Sequence, residues 1–158
     1  MSTEQQIKPL SGAECPGPSE AFTDYCEAEF ENIETVMSDL SSVVKEGASE
    51  YSTPELAAIA TFLHNIYNGS ENVLKRILIS KGSEIRKTPT WHRDLLRTAL
   101  EKGIIDSDLY GQLSEYLAFR HFFVHAYSFN LNWEALQPLV NNLENMLKIF
   151  RSSIMRYL

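Results

Sequence analysis

The sequence predicts an all-α protein, an up-and-down bundle of about five helices, on three observations. Apolar residues recur at three- and four-residue intervals through most of residues 20–158, the period of a helix with one buried face. Capping residues and glycines punctuate these stripes where helices would start and stop. No stretch alternates apolar and polar residues as a half-buried strand would. Long helices joined by short turns then pack as antiparallel neighbours.

Residues 1–19 hold Pro9, Gly12, Pro16, Gly17 and Pro18 with little apolar periodicity, and are expected to form a flexible tail before one domain over residues 20–158. Phe22, Cys26, Phe30, Ile33, Met37, Leu40 and Val44 make the first stripe, which Gly47 ends. Thr53-Pro54-Glu55 opens the second helix, with a hydroxyl cap and a proline in the first turn, where its missing N–H costs nothing. The stripe Leu56, Ile59, Leu63, Ile66, Tyr67, Val73, Leu74 and Ile77 runs to about Ser80, with Gly82 as the stop. Gly69 inside it weakens the helix by about 1 kcal/mol relative to alanine.

A basic loop with a proline covers residues 81–90. The third helix is capped by Thr90, carries Leu95, Leu96 and Ala99, and is closed by Gly103. Asp106 caps the fourth, whose stripe is Leu109, Leu113, Tyr116, Leu117, Arg120 and Val124. Asn132 begins the fifth, with Leu136, Leu139, Val140, Leu143, Met146, Leu147, Phe150 and Ile154 in register. Pro138 in its second turn is expected to bend it.

With 158 residues, 44% apolar and 22% charged, the composition is that of one globular domain and not of a disordered or collagenous chain. No apolar stretch approaches the ~20 residues that span a bilayer, so no membrane association is expected. The start, MSTEQQIKPL, lacks the basic-then-apolar pattern of a secretion signal. Cys15 and Cys26 make neither a disulfide framework nor a CxxC pair. A cytoplasmic protein is the expectation.

The net charge of −7 argues against a general nucleic-acid binder. Its distribution is uneven. Residues 1–50 hold eleven carboxylates against Lys8 and Lys45, whereas residues 75–97 hold seven Lys and Arg against Glu84 and Asp94. Two surfaces of opposite sign, or a solvated helix end and loop, both satisfy this pattern.

Several enzyme signatures are absent: GxGxxG, the P-loop and GxSxG do not occur. His121 and His125 stand at metal-ligand spacing on one helix, but Phe122 occupies the place where a zincin has its glutamate. No metal and no cofactor is expected. His64 and His92 lie on other helices, where satisfied core or surface histidines are the common outcome.

The informative segment is Phe119-Arg120-His121-Phe122-Phe123-Val124-His125-Ala126-Tyr127. At 100° per residue, Arg120 and Tyr127 project from one side of a helix and His121 and His125 from a neighbouring side. Arg120 falls on an otherwise apolar stripe, where a guanidinium is costly to bury unless it has a partner or opens onto a cleft. Such a cluster can hold a phosphate and move protons. Equally, the arginine can cap a neighbouring helix while the histidines fill polar gaps.

Arg120-His121-x3-His125-x-Tyr127 resembles the R-x4-6-H motif of the HEPN superfamily, and more narrowly that of the HepT-like toxin ribonucleases. Tyr67–Ile77 is similar to the family's second long helix, Trp91-His92-Arg93-Asp94-Leu95-Leu96 to its short third helix, and Asn132-Trp133-Glu134 to the start of its closing helix. The resemblance covers about residues 20–158. One departure is that His121 stands where asparagine is most usual. The resemblance implies a metal-independent endoribonuclease toxin, dimeric, with Arg120 and His125 as catalytic residues and His121 in support. It implies a minimal nucleotidyltransferase antitoxin as partner, silencing the toxin by AMPylation of Tyr127, and RNA as substrate. Phe119, Phe122, Phe123 and Trp133 are then candidates for the core of a homodimer interface. Non-catalytic HEPN bundles that dock nucleotidyltransferases are the alternative.

Overall fold

Five helices follow one another as α1 (Glu20–Val43), α2 (Thr53–Ser80), α3 (Trp91–Glu101), α4 (Ser107–His125) and α5 (Trp133–Met155), with a 3₁₀ turn at Ser128–Asn130. A computed structural model describes residues 20–158, so the expected tail and Cys15 lie outside the described residues. Among the described residues there is no strand, and no helix is long and apolar enough to cross a membrane. The all-α bundle expected from the apolar periods is the fold observed.

Helix ends are set by local chemistry. The cap of α2 is Ser52, one residue before the expected Thr53. The Ser52 hydroxyl accepts from the Glu55 N–H at 3.3 Å, while the Glu55 carboxylate accepts from the Ser52 N–H at 3.1 Å. This reciprocal box needs an acidic residue three positions on, which Ser52 has and Thr53 lacks. At the other end, Gly82 has φ +83°, and the Ser83 N–H reaches the Leu78 carbonyl at 2.9 Å, closing α2 in a Schellman turn. Thr90 occupies the cap position of α3, but its hydroxyl donates to the Asp94 carboxylate instead of capping. Asp106 and Asn132 cap α4 and α5 as expected, accepting from the Leu109 and Ala135 N–H groups. The last helix runs through Pro138 without interruption.

The core is built around α2, which packs against every other helix and the 3₁₀ turn. Leu56, Ile59, Leu63, Ile66, Leu74 and Ile77 are all buried, each contributing about 1.5–3 kcal/mol by leaving water. Cys26, Phe30, Ile33 and Leu40 of α1 cover one side of it, and burial pushes the Cys26 thiol pKa up. Leu109, Leu113 and Tyr116 of α4 and Leu136, Leu143 and Phe150 of α5 complete the core. The buried Tyr116 hydroxyl donates to the Leu139 carbonyl at 2.7 Å, joining α4 to α5. Val124, expected on the buried stripe of α4, is exposed. The stripe drifts to Phe119 and Phe123 near the helix end, because α2 crosses that end of α4 on the Phe123 side.

Gly69 marks the closest approach of α1 and α2. A Cβ at this position would lie 2.8 Å from Ile33 Cγ1, closer than a side-chain contact allows. Its low helix propensity is therefore outweighed by packing. Gly69→Ala is expected to destabilise the protein by about 1–3 kcal/mol despite alanine's better propensity. Denaturant unfolding checks this, and the Gly69→Ala/Ile33→Ala double variant should lose less stability than the two single losses added together.

Candidate active site

Helix α4 presents Arg120, His121 and His125 in its last turns. Arg120 is half-buried and turns toward α2, where its Nε donates to Asn68 Oδ1 at 3.3 Å. With that oxygen accepting, the Asn68 amide nitrogen is the donor to His64 Nε2 at 3.4 Å, which places the His64 proton on Nδ1. The His64 ring packs on Phe123 at 5.0 Å. Burial first, and the Arg120 charge second, hold the His64 pKa below its ordinary value. Among the described residues no carboxylate pairs with Arg120.

A cleft of about 660 Å³ opens between α3 and α4 beside this guanidinium. Its walls carry His92 and Arg93 from α3 and Arg120 and His121 from α4, over an apolar floor that includes Leu96, Leu117 and Ala118. A larger hollow of about 890 Å³ lies where the α3–α4 turn meets α5. There the Arg156 guanidinium is already tied to the Gly103 and Ile104 carbonyls, so the cleft with the free charge is the better candidate.

Behind the cleft, Glu71 is buried in α2 at 4% exposure, and His92 Nδ1 donates to its carboxylate at 2.8 Å. The Tyr67 hydroxyl is buried close to this carboxylate without an aligned partner; burial first and Glu71 second raise its pKa far above that of a free phenol. Trp91 stacks on the His92 ring at 3.7 Å, and Lys75 lies over Trp91 at 5.5 Å.

The residues singled out from sequence separate into three groups. Arg120 and His121 share the cleft wall. His121 and His125 are both exposed and meet edge-on at 5.3 Å. Tyr127 is elsewhere: α4 ends at His125, Ala126 is extended, and the Tyr127 N–H donates to Asn130 Oδ1 at 3.1 Å. The Asn130 side chain thus starts the 3₁₀ turn in place of another helical turn, so Tyr127 does not lie in helical register with Arg120. Its ring is 71% exposed and stacks on Phe129 at 5.4 Å.

The aromatic residues expected at an interface also divide. Phe119 is buried, Phe123 packs on Phe119 and His64, and half-buried Trp133 packs on Tyr51 at 4.6 Å, all within this chain. Only Phe122 of the four is exposed, joined by Val124. Asn68 and the Glu71–His92 pair went unassigned in the sequence. Their only signal was a run of polar residues on α2, His64, Asn68 and Glu71, interrupting an apolar stripe. No group of three metal-ligating side chains converges among the described residues.

An antiparallel helical bundle whose fourth helix carries an arginine and a histidine beside a cationic cleft defines the class. Residues 58–158 match the sequence pattern of HepT-like proteins, and the chain belongs to this family, within the HEPN superfamily. The match begins inside α2 and spans α3, α4 and α5, including Arg120, His121, His125 and Tyr127. No curated protein and no solved structure matches the chain.

The depressed His64 pKa has a stability consequence. The folded state binds this proton less readily than the unfolded chain, so the associated stability is fully present above the ordinary value of 6.5 and is lost as pH falls through the depressed value. Between about pH 7.5 and about pH 5.5, wild type should lose more stability in denaturant unfolding than His64→Gln, which has no titrating ring.

Proposed function

We propose that this HepT-like chain is a metal-independent endoribonuclease, the toxin of a toxin–antitoxin pair, acting as a homodimer. One observation carries the reading: Arg120 is half-buried, has no carboxylate partner among the described residues, and opens onto a cleft shared with imidazole groups. A half-buried guanidinium that is not neutralised from within is an anion site, suited to the non-bridging oxygens of a phosphodiester. RNA supplies its own nucleophile, the 2′-hydroxyl. The protein must then move two protons and stabilise the charge of a phosphorane.

His125 serves as one proton carrier, and His121 or His125 of a second copy as the other. A symmetric dimer brings two such motifs to one place. In support of an interface there, Phe122 and Val124 are 48% and 47% exposed and lie between the two exposed histidines along α4. Regulation by a nucleotidyltransferase antitoxin fits Tyr127, whose exposed phenol is open to AMPylation on the loop directly after His125. Because the ring lies off the helix, the adduct would act by covering the His121–His125 surface, not by helical register with Arg120. The second reading, a non-catalytic module docking a nucleotidyltransferase, is favoured by the net charge of −7, which opposes RNA at long range.

Purified protein should cleave RNA from a total-RNA pool without added metal, and Arg120→Ala should lower kcat/KM by about 10²–10³-fold. A folded wild type that cleaves nothing would leave the docking reading. Mixing Arg120→Ala with His125→Ala chains tests the composite site: heterodimers regain one intact site if the motifs work across the interface, and none if each works alone. For Tyr127, intact-mass spectrometry after incubation with the cognate nucleotidyltransferase and ATP should show AMP on wild type but not on Tyr127→Phe. Equal adducts on both would remove Tyr127 from the mechanism.

A further inference from the structure

We propose that His92 is the general base of the cleft, its Nε2 taking the proton of a ribose 2′-hydroxyl beside a phosphodiester held by Arg120, with Glu71 as its positioning residue. The inference rests on the ribonuclease reading and moves the base role from the motif histidines to His92, leaving His121 or His125 as the acid.

Three observations lead to it. The first is the buried carboxylate. At 4% exposure Glu71 is among the few polar side chains inside the core, and an unpaired charge there would cost several kcal/mol. His92 meets that need with Nδ1 at 2.8 Å from both carboxylate oxygens. Since an ionised carboxylate only accepts, Nδ1 carries a proton, and Nε2 is the nitrogen that gains or loses one as the ring charges.

Second, the ring is held. Glu71 grips one edge and Trp91 covers a face at 3.7 Å. Nε2 has no hydrogen-bond partner among the described residues, and the side chain, 20% exposed, lines the cleft. His121 and His125 contrast with this: both are exposed, and among the described residues no carboxylate orients either ring. Third, Arg120 lines the same cleft. Phosphate holder and oriented base therefore belong to one chain.

The step balances. Nε2 takes the 2′-hydroxyl proton as the 2′-oxygen bonds to phosphorus, and the P–O5′ bond breaks. The products are a 2′,3′-cyclic phosphate and a 5′-hydroxyl, which takes its proton from His121 or His125. The imidazolium left on His92 is stabilised by Glu71 through Nδ1, as a carboxylate stabilises the histidine of a hydrolase triad. Glu71 from α2 faces His92 directly, with Tyr67 beside that carboxylate and Lys75 behind Trp91. Arg93 stands next to it, and Arg120 and His121 lie across the cleft.

The test uses the full chain and a synthetic RNA spanning a cut mapped in wild-type digests. His92→Gln keeps an N–H for Glu71 but carries no proton, so kcat should fall about 10²–10⁴-fold while KM moves by less than about threefold. Glu71→Gln should also lower kcat with little change in KM, and imidazole should restore part of the activity of His92→Gly. Cleavage by His92→Gln at the wild-type rate, alongside loss in Arg120→Ala, overturns the role of His92 and leaves the ribonuclease reading intact. A wild type that cuts no RNA overturns both. Should the variants not fold, histidine ¹⁵N NMR of wild type decides. The proton must sit on His92 Nδ1, and Nε2 must respond to an RNA product ending in a 3′-phosphate, which keeps the 2′-hydroxyl but cannot be cleaved there. An Nε2–H tautomer, or no response, overturns the proposal.

Discussion

The enclosure of α2 is the constraint from which the rest of the arrangement follows. A helix covered by α1, α4 and α5, and touched by α3 and the 3₁₀ turn, leaves its polar side chains little water to bond. The buried ones, Tyr67 apart, find partners within the helix or on a neighbouring element. Ser70 turns its hydroxyl back to the Ile66 carbonyl at 3.0 Å. Asn68 reaches Arg120 on α4, and Glu71 reaches His92 on α3. Those last two bonds fix where the cleft walls stand. Helix α3 has only eleven residues, three of them buried apolar side chains, and the hydrogen bond from His92 to a buried carboxylate adds a directional tie to that packing.

The same enclosure explains what the sequence could and could not reveal. Helix limits were legible because caps and stops are local: Asp106, Asn132, Gly82 and Gly103 act within a few residues of themselves. Ser52 was hidden only because Thr53 offers the same hydroxyl, and the choice turns on the spacing to Glu55. Tyr127 was misplaced for a related reason. Helical arithmetic assumes that the helix continues, and Asn130 stops it from three residues downstream. What lay beyond reach were the pairings between distant positions. His92 and Glu71 are 21 residues apart and Arg120 and Asn68 are 52 apart, and no helical period links them.

For the candidate site, the sequence singled out residues without showing how they group. Arg120 was suspect because a guanidinium interrupted an apolar stripe, and the structure gives it the polar outlet that such a position requires. His121 and His125 stand four apart and do meet. Yet the aromatic residues around them were not a spare apolar surface: Phe119, Phe123 and Trp133 are used by the core of this chain. Apolar content near a motif does not tell an interface from a well-filled helix end, because both bury the same side chains.

The charge pattern changes meaning in three dimensions as well. The basic stretch 75–97 looks like a polyanion-binding surface when counted along the chain. Much of it is committed internally. Arg76 lies 4.2 Å over Tyr25, Lys75 covers Trp91, Lys81 lies 5.0 Å over Tyr157, and Arg86 pairs with Glu84. Arg93 is the member of the stretch that lines the cleft, opposite Arg120. A net charge of −7 therefore does not bar an anion from the proposed site, where the Arg93 and Arg120 guanidinium groups stand at short range. At physiological salt, charges more than ~8 Å away are largely screened. The carboxylates of α1, which packs on α2 and not on α3 or α4, then weigh less at the cleft than the Arg120 guanidinium, which has no carboxylate partner among the described residues.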